Sequence, residues 1–370
     1  MRFIFLALTL SLALLVRSMA TADTLQKKVL VIGMDGVRAD ALDVALAQGR
    51  APNLQSLIDE GCYANHAQTS RLTFSGPSWA NVLHGVDIDE HGVATNEVAG
   101  NVFANSNQAD FPNLLARVKM FDDQLTTAFF STWSALEKTR TPHSTDISDF
   151  WDYSKEGDAY VTKQAANCLA EHNPDVIFFY QADTDDVGHG AGGGRFHPKS
   201  EPYLAQIGLT DRHVGRVLMA VRNRPTYEEE DWLVVVITDH GGSGTRHGDN
   251  IDAHRTIPFI VSGRNVPRQI PDDNPMFVGP KSVDVVPTVL AHLGIPGDHE
   301  AWAGLRGHVR GQSPSLQPEI VLDSNLVFNG NAEYDRGYSS HGHDQAVSGW
   351  EDSAGSDGIT ILRYGTIDGF

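Results

Sequence analysis

Six carboxylate and imidazole side chains stand at or just beyond short apolar runs. Asp35 follows VLVIGM, Asp185 and His189 lie in DTDDVGHG, Asp239 and His240 follow LVVVIT, and His247 lies in GTRHGDN. Carboxylate oxygens and imidazole nitrogens suit Zn²⁺ and similar divalent ions. Asp185 and His189 are four residues apart, close enough to share a cation if Asp185 ends a strand and His189 begins a turn or helix. Asp239 and His240 would face opposite ways on a regular strand, but where the chain bends beyond its end both can converge. Gly248 lets the backbone beside His247 approach closely. The six donors divide into two triads, each with room for an oxygen from a substrate or nucleophile, as in a catalytic rather than a structural zinc site. Two cations a few ångströms apart suit phosphoryl transfer. A lone Asp at a strand end is ordinarily a helix cap; three such ends, two of them with His, call for another explanation. His66, His84, His91 and His292 read as ordinary surface or core residues.

The nucleophile is sought in LTFSGPSWANVLHG, residues 72–85. Ser75 precedes an expected helix, with Gly76 freeing the backbone and Pro77 suited to an early helical position. Ser75 or Ser78 is an N-cap, a nucleophile or a residue awaiting modification. A serine hydroxyl is weak until its pKa is lowered, which a bound metal can do without a histidine base. A helix N-terminus adds a favourable dipole and a backbone N–H, expected from Gly76, for a non-bridging oxygen.

The elements that must position these groups are legible as apolar runs. VLVIGMD (29–35), DVIFFYQ (175–181), WLVVVITD (232–239) and PFIVSG (258–263) read as buried parallel strands. Helical patterns cover 51–60, 203–222 and 282–293; the second has Leu204, Ile207, Val214, Val217, Leu218 and Val221 on one stripe. Alternation of strands and helices predicts an α/β fold with a mostly parallel central sheet sandwiched by helices. In such sheets chemistry gathers at the carboxyl ends of the strands.

The chain has 370 residues and a formal net charge of −19, which argues against a nucleic-acid-wrapping surface and against anchoring on anionic lipid. Arg2, an apolar run from Phe3 to Val16 and Ser18-Met19-Ala20 form a secretory signal pattern, so residues 1–22 are expected to be removed on export to the periplasm or exterior. Cys62 and Cys168 are expected either to pair or to be buried free thiols. Residues 23–310 are assigned to the catalytic domain, 311–323 to a linker and 324–370 to a partial β-sandwich-like extension. The SSHGHD cluster at 339–344 reads as an exposed loop.

Taken together, MDG with Asp35, Ser75 ten residues before Gly85, DDVGH with Asp185 and His189, TDHG with Asp239 and His240, and the HG pair at His247 eleven residues before Pro258 resemble the alkaline phosphatase superfamily. Within it they resemble the type I phosphodiesterase/nucleotide pyrophosphatase group. The resemblance covers about residues 27–297 and ends on SVDVVPTVLAHLGIP, similar to that family's closing helix. It implies two divalent metals, Zn²⁺ foremost. One is assigned to Asp35, Ser75, Asp239 and His240, the other to Asp185, His189 and His247. His254 is the rival for the last place and Thr73 the rival nucleophile. Asn96 falls where that family holds phosphate. The implied activity is cleavage of a small phosphate diester or pyrophosphate through a phosphoserine. SGPSW also resembles the sulfatase signature, but Trp79 stands where that signature has Arg, and Asp239-His240 favours two transition metals. With Trp133 and Ser134 rather than a Lys-x-Arg pair after TAFFS, a diester is favoured over a monoester, unless Lys138, Arg140 or Arg195 reaches the site. Phe74, Trp79 and Trp133 are candidates to flank an apolar substituent. A metal-binding scaffold with a decayed centre and a glycan-binding extension is the non-enzymatic alternative.

Overall fold

The computed structural model describes residues 25–96, 107, 109–137, 148–268 and 279–311, and the backbone of 350–354 and 360–364. Seven strands form one sheet: β1 (Gln26–Met34), β2 (Gly61–Gln68), β3 (Thr127–Ser131), β4 (Phe150–Tyr153), β5 (Val176–Gln181), β6 (Glu230–Ile237) and β7 (Thr256–Gly263), in the order β2-β7-β6-β1-β5-β3-β4. β1 pairs in parallel with β5 and β6, and β3 in parallel with β5 and β4. The three strands whose ends carry the acidic and imidazole groups are therefore neighbours. Val29 and Val31 face one hydrophobic layer, and Leu30, Ile32 and Met34 the other. This is why these runs are apolar throughout: both faces are covered.

PFIVSG departs from expectation. As β7 it runs antiparallel to both β6 and β2. A parallel return needs a crossover across the sheet face, but residues 238–255 contain only the four-residue helix Asp252–Arg255 and are spent over the strand ends. The chain turns straight back, and β7 is buried anyway because β2 covers its far side.

The helices are amphipathic covers. On one face lie α1 (Ala39–Ala47), α2 (Pro52–Asp59), α5 (Asp158–Glu171) and α7 (Glu201–Arg222). All six apolar residues of the expected α7 stripe are buried. The other face is covered by α3 (Ser75–His84), α4 (Leu114–Phe121) and α8 (Val285–His292). A short helix, α6 (Asp183–Gly188), follows β5.

Cys62 and Cys168 are buried free thiols, so they do not pair. Arg310 is tied into the fold by an ion pair to buried Asp284 at 2.6 Å. The chain divides into two compact units, residues 1–319 and 320–370. In the second unit, Trp350–Ala354 (β8) pairs antiparallel with Thr360–Tyr364 (β9). The expected signal segment and the SSHGHD loop lie outside the described residues, as do Lys138 and Arg140. No helix among the described residues is long and apolar enough to cross a membrane.

Candidate metal centre

Asp35 is the first residue beyond β1, and its N–H donates to Gln181 O at 2.8 Å, continuing the β1–β5 ladder. One of its oxygens is taken: Tyr180 Oη and Trp79 Nε1 both donate to Oδ2, at 2.5 and 3.0 Å. Its Oδ1 is buried without a partner. Asp239 is arranged the same way, with Oδ1 accepting from Gly36 N at 3.1 Å and Oδ2 left bare. Asp185 lies in the first turn of α6 rather than at a strand end, and its Oδ1 is a third buried oxygen without a partner. Gly36 has φ +67, and a Cβ there would meet Asp185 Oδ1 at 2.7 Å, so Gly is required for the two carboxylates to approach.

The imidazoles complete the pattern. His240 directs Nδ1 to Gly241 O (2.8 Å), His247 to Thr73 O (2.7 Å) and His189 to Thr245 O (2.9 Å). A carbonyl accepts only, so each Nδ1 carries a proton and each Nε2 is turned toward the carboxylates, the orientation that backbone partners impose on metal-ligating histidines. The Nε2 atoms of His189 and His247 are 3.0 Å apart, and His189 Nε2 is 3.4 Å from Asp185 Oδ2. His247 Nε2 is 3.8 Å from Asp185 Oδ1. His240 Nε2 lies 3.5 Å from Asp35 Oδ1 and 3.2 Å from Asp239 Oδ2. Ligand atoms of Asp35, Asp239 and His240 fall within 4.8 Å of one another, as do those of Asp185, His240 and His247. His240 thus stands between the two groups, stacked on His247 with ring centroids 3.7 Å apart.

Electrostatics make the same case for cations. Burial, and then the Asp185 charge, push Asp35 up to about 8. Burial and the charges of Asp35 and Asp185 raise Asp239 well above the carboxylate range. Burial tends to raise Asp185 too, but the His189 hydrogen bond and the other imidazoles hold it low. Burial and His247 lower His240 to about 3, which keeps it neutral. Burial also lowers His247, whereas the Asp185 hydrogen bond raises His189 to about 9, so without a cation that imidazole takes up a proton to answer the carboxylate. Three carboxylates and three imidazoles with converging atoms fit divalent ions: the cations would supply the charge that this pocket lacks.

Ser75 is the first residue of α3, not its N-cap; the N-cap is Phe74. Its Oγ lies 3.2 Å from His240 Nε2. Thr73 has its hydroxyl engaged, donating to Asp249 O and accepting from Gly248 N, both at 3.0 Å, and it is fully buried. The rival histidine is also committed: His254 Nε2 is 2.8 Å from Ser243 Oγ, and its Nδ1 accepts from Asp249 N at 3.1 Å. The Gly76 N–H expected to face substrate has another partner. It donates to Asn96 Oδ1 at 2.7 Å, which leaves the Asn96 amide NH₂ as the available donor. Gly248 (φ +110) allows Phe74 to close over the loop, since a Cβ there would meet the ring at 2.6 Å.

Of the aromatic candidates, Phe74 is 40% exposed and packs edge-on against His247. Trp79 is fully buried and serves Asp35 instead of a substrate. Trp133 packs on the core. Arg195 is exposed, its N–H held by Ser200 Oγ. Sequence reasoning did not find Tyr180 or Tyr203. The Tyr203 hydroxyl donates to Gly36 O and accepts from Arg38 N, bracing the turn after Asp35. In the sequence both read only as apolar core, because the phenolic oxygen becomes informative only once its neighbour is known.

The model of the family described as type I phosphodiesterase/nucleotide pyrophosphatase matches residues 29–259. Bis(5′-adenosyl)-triphosphatase ENPP4 of Pongo abelii is 24% identical over 233 residues, covering 60% of this chain and 49% of that protein. The chain thus spans about half the length of the curated relatives it matches. Among solved structures, an inactive variant of murine ectonucleotide pyrophosphatase/phosphodiesterase 5 in complex with AMP superposes with a TM-score of 0.53 at 13% identity, covering 78% of this chain and 98% of that one. A putative sulfatase from Bacteroides thetaiotaomicron gives 0.56 at 15%, covering 74% and 72%. At these identities the structural likeness establishes the fold, an alkaline phosphatase-like α/β sandwich.

Proposed function

Because the chain belongs to the type I phosphodiesterase/nucleotide pyrophosphatase family, we propose that it is an exported metal-dependent hydrolase. It cleaves phosphate diester or pyrophosphate bonds of small, nucleotide-like substrates through a phosphoserine. Asp35, Asp239, His240 and Ser75 would hold one divalent cation, and Asp185, His189 and His247 the other; Zn²⁺ suits this donor set. When bound, the cations would lower the pKa of the attacking hydroxyl and screen charge on the transferring phosphoryl group and the leaving oxygen.

The observation that carries this reading is Ser75 Oγ, 3.2 Å from His240 Nε2 at the start of α3, beside three bare carboxylate oxygens. Ser75 Oγ bonds to phosphorus as the ester oxygen leaves; water then cleaves the phosphoserine and restores the hydroxyl. The Asn96 NH₂, held by Gly76 N–H through Oδ1, donates to a non-bridging oxygen. Ser75 N–H, at the first position of α3, has no intrahelical acceptor and is a second donor to that oxygen. Phe74 offers an apolar face to a substituent. Two neutral donors and no Lys or Arg donating to this set among the described residues favour a singly charged diester.

Purified protein should hydrolyse bis-p-nitrophenyl phosphate faster than p-nitrophenyl phosphate or p-nitrophenyl sulfate, and chelator should abolish the activity. Preference for the sulfate would overturn the class; preference for the monophosphate would make it a phosphatase.

A further inference from the structure

Asp158 opens α5, 27 residues before Asp185 in the chain, and is 1% exposed. Its two oxygens face the start of α6: Oδ1 accepts from Ala182 N at 2.7 Å and Oδ2 from Asp183 N at 3.1 Å. α6 has six residues, too few to hold themselves helical in water. Its N-cap is Ala182, which has no side-chain acceptor. The acceptors that the leading amides require come instead from another helix. Yet α6 carries Asp185 in its first turn, and His189 closes it through His189 N–H to Asp185 O at 2.8 Å.

One carboxylate gripping two consecutive amides fixes both the height of α6 and its rotation about its own axis. Rotation is what aims Asp185 and His189 at His247. The grip is itself braced, because Thr162 Oγ1 donates to Asp158 O at 2.6 Å and lies 2.8 Å from His213 Nδ1. It is also electrostatically costly. Burial and the Asp183 charge push the Asp158 pKa up to about 8, against the pull of the two amides.

We infer that Asp158 is a positioning residue for the metal site formed by Asp185, His189 and His247: it caps α6 from α5 and so holds two of the three ligands in register. This rests on the reading of those three residues as ligands.

The test is zinc binding to the full chain, measured by competition with a chromophoric chelator, with thermal unfolding of the metal-free protein recorded in parallel. Wild type should take up two zinc ions per chain. Asp158→Ala should bind the first with unchanged affinity and the second about 10–100-fold more weakly, the usual size of an outer-shell loss. Asp158→Asn, which keeps one acceptor, should fall between them, and it carries the test if the alanine variant does not fold. Glu230→Ala, which breaks the Arg224 pair at the far end of the sheet, should lower the unfolding temperature while leaving both affinities intact, which separates positioning from general destabilisation. Unchanged zinc affinity in both Asp158 variants, with one zinc lost in Asp185→Asn, would overturn the positioning role and leave the ligand assignment standing. Full zinc uptake by Asp185→Asn would overturn the ligand assignment and the positioning role with it.

Discussion

The two ends of the central sheet both bury charge, and they do so in opposite ways. At the amino end, Lys28 is fully buried, but its Nζ meets Asp175 Oδ1 at 2.7 Å and Asn173 Oδ1 at 3.1 Å. Beside it, Arg224 grips both oxygens of Glu230 through Nε at 3.0 Å, and Trp232 Nε1 adds a bond to Glu230 at 2.7 Å. Charge there is answered by charge within the chain. At the carboxyl end, Asp35, Asp185 and Asp239 crowd together with no Lys or Arg paired to them among the described residues, and each keeps one buried oxygen with no partner. Buried polar groups are nearly always satisfied. A matched cluster is therefore a joint, and an unmatched one is a receptacle for something the chain does not supply.

That contrast can be broken by substitution. The largest effect is expected from Ser75→Ala, which should lower kcat by about 10⁴-fold or more while zinc content and unfolding temperature stay near wild type. A small loss of activity would mean that Ser75 is not the nucleophile. At the other end, Glu230→Ala strands the buried Arg224 guanidinium and should cost about 3–5 kcal/mol in denaturant unfolding, with zinc affinity untouched. If zinc affinity moved with stability, the two ends would not be independent.

Two smaller effects sharpen the comparison. His84 closes α3, at the opposite end of that helix from Ser75, and His91 lies in the core beside it, ring centroids 5.9 Å apart; neither is among the proposed metal ligands. Burial lowers their pKa values to about 4 and about 3. Both are below the unfolded value near 6.5, so the unfolded chain binds more protons in that window. The stability they contribute is fully present above about pH 6.5 and is lost as pH falls through about 4 for His84 and about 3 for His91, about 3 kcal/mol per histidine having gone by pH 4. Denaturant melts of the metal-free protein from pH 7 to 4 check this, and His84→Gln should flatten the slope. Last, Tyr180→Phe removes one of two donors to Asp35 Oδ2 and should weaken zinc binding about 10-fold, read by the same chelator competition. An unchanged affinity would make Tyr180 a core residue with a convenient hydroxyl.

Much of this architecture is legible in the sequence. Runs such as VLVIGM and LVVVI carry no polar side chain because both sheet faces are covered, and that pattern survives in one dimension. So do the candidate donors, because only a few residue types suit metals and these stand beyond the carboxyl ends of the strands, although Asp185 proves to lie in the first turn of α6. Orientation is less legible. PFIVSG is as apolar as its neighbours, and its reversal in β7 follows from a connection too short for a crossover. Gly76 illustrates a finer limit: its N–H is available in principle, but Asn96 returns from twenty residues away to claim it.

By itself, then, the amino-acid sequence determined which atoms are available: carboxylate oxygens and imidazole nitrogens beyond buried strands and a few candidate hydroxyls before a helix, on an α/β scaffold set by hydrophobic periodicity. Only the tertiary structure decided which of those atoms remain free. Strand order brings the ends of β6, β1 and β5 side by side, and hydrogen bonds then consume Thr73, His254 and the Gly76 N–H while leaving Ser75 against His240 and three carboxylate oxygens bare. Availability is a property of residue type, whereas satisfaction is a property of neighbours, and neighbours exist only in the folded chain.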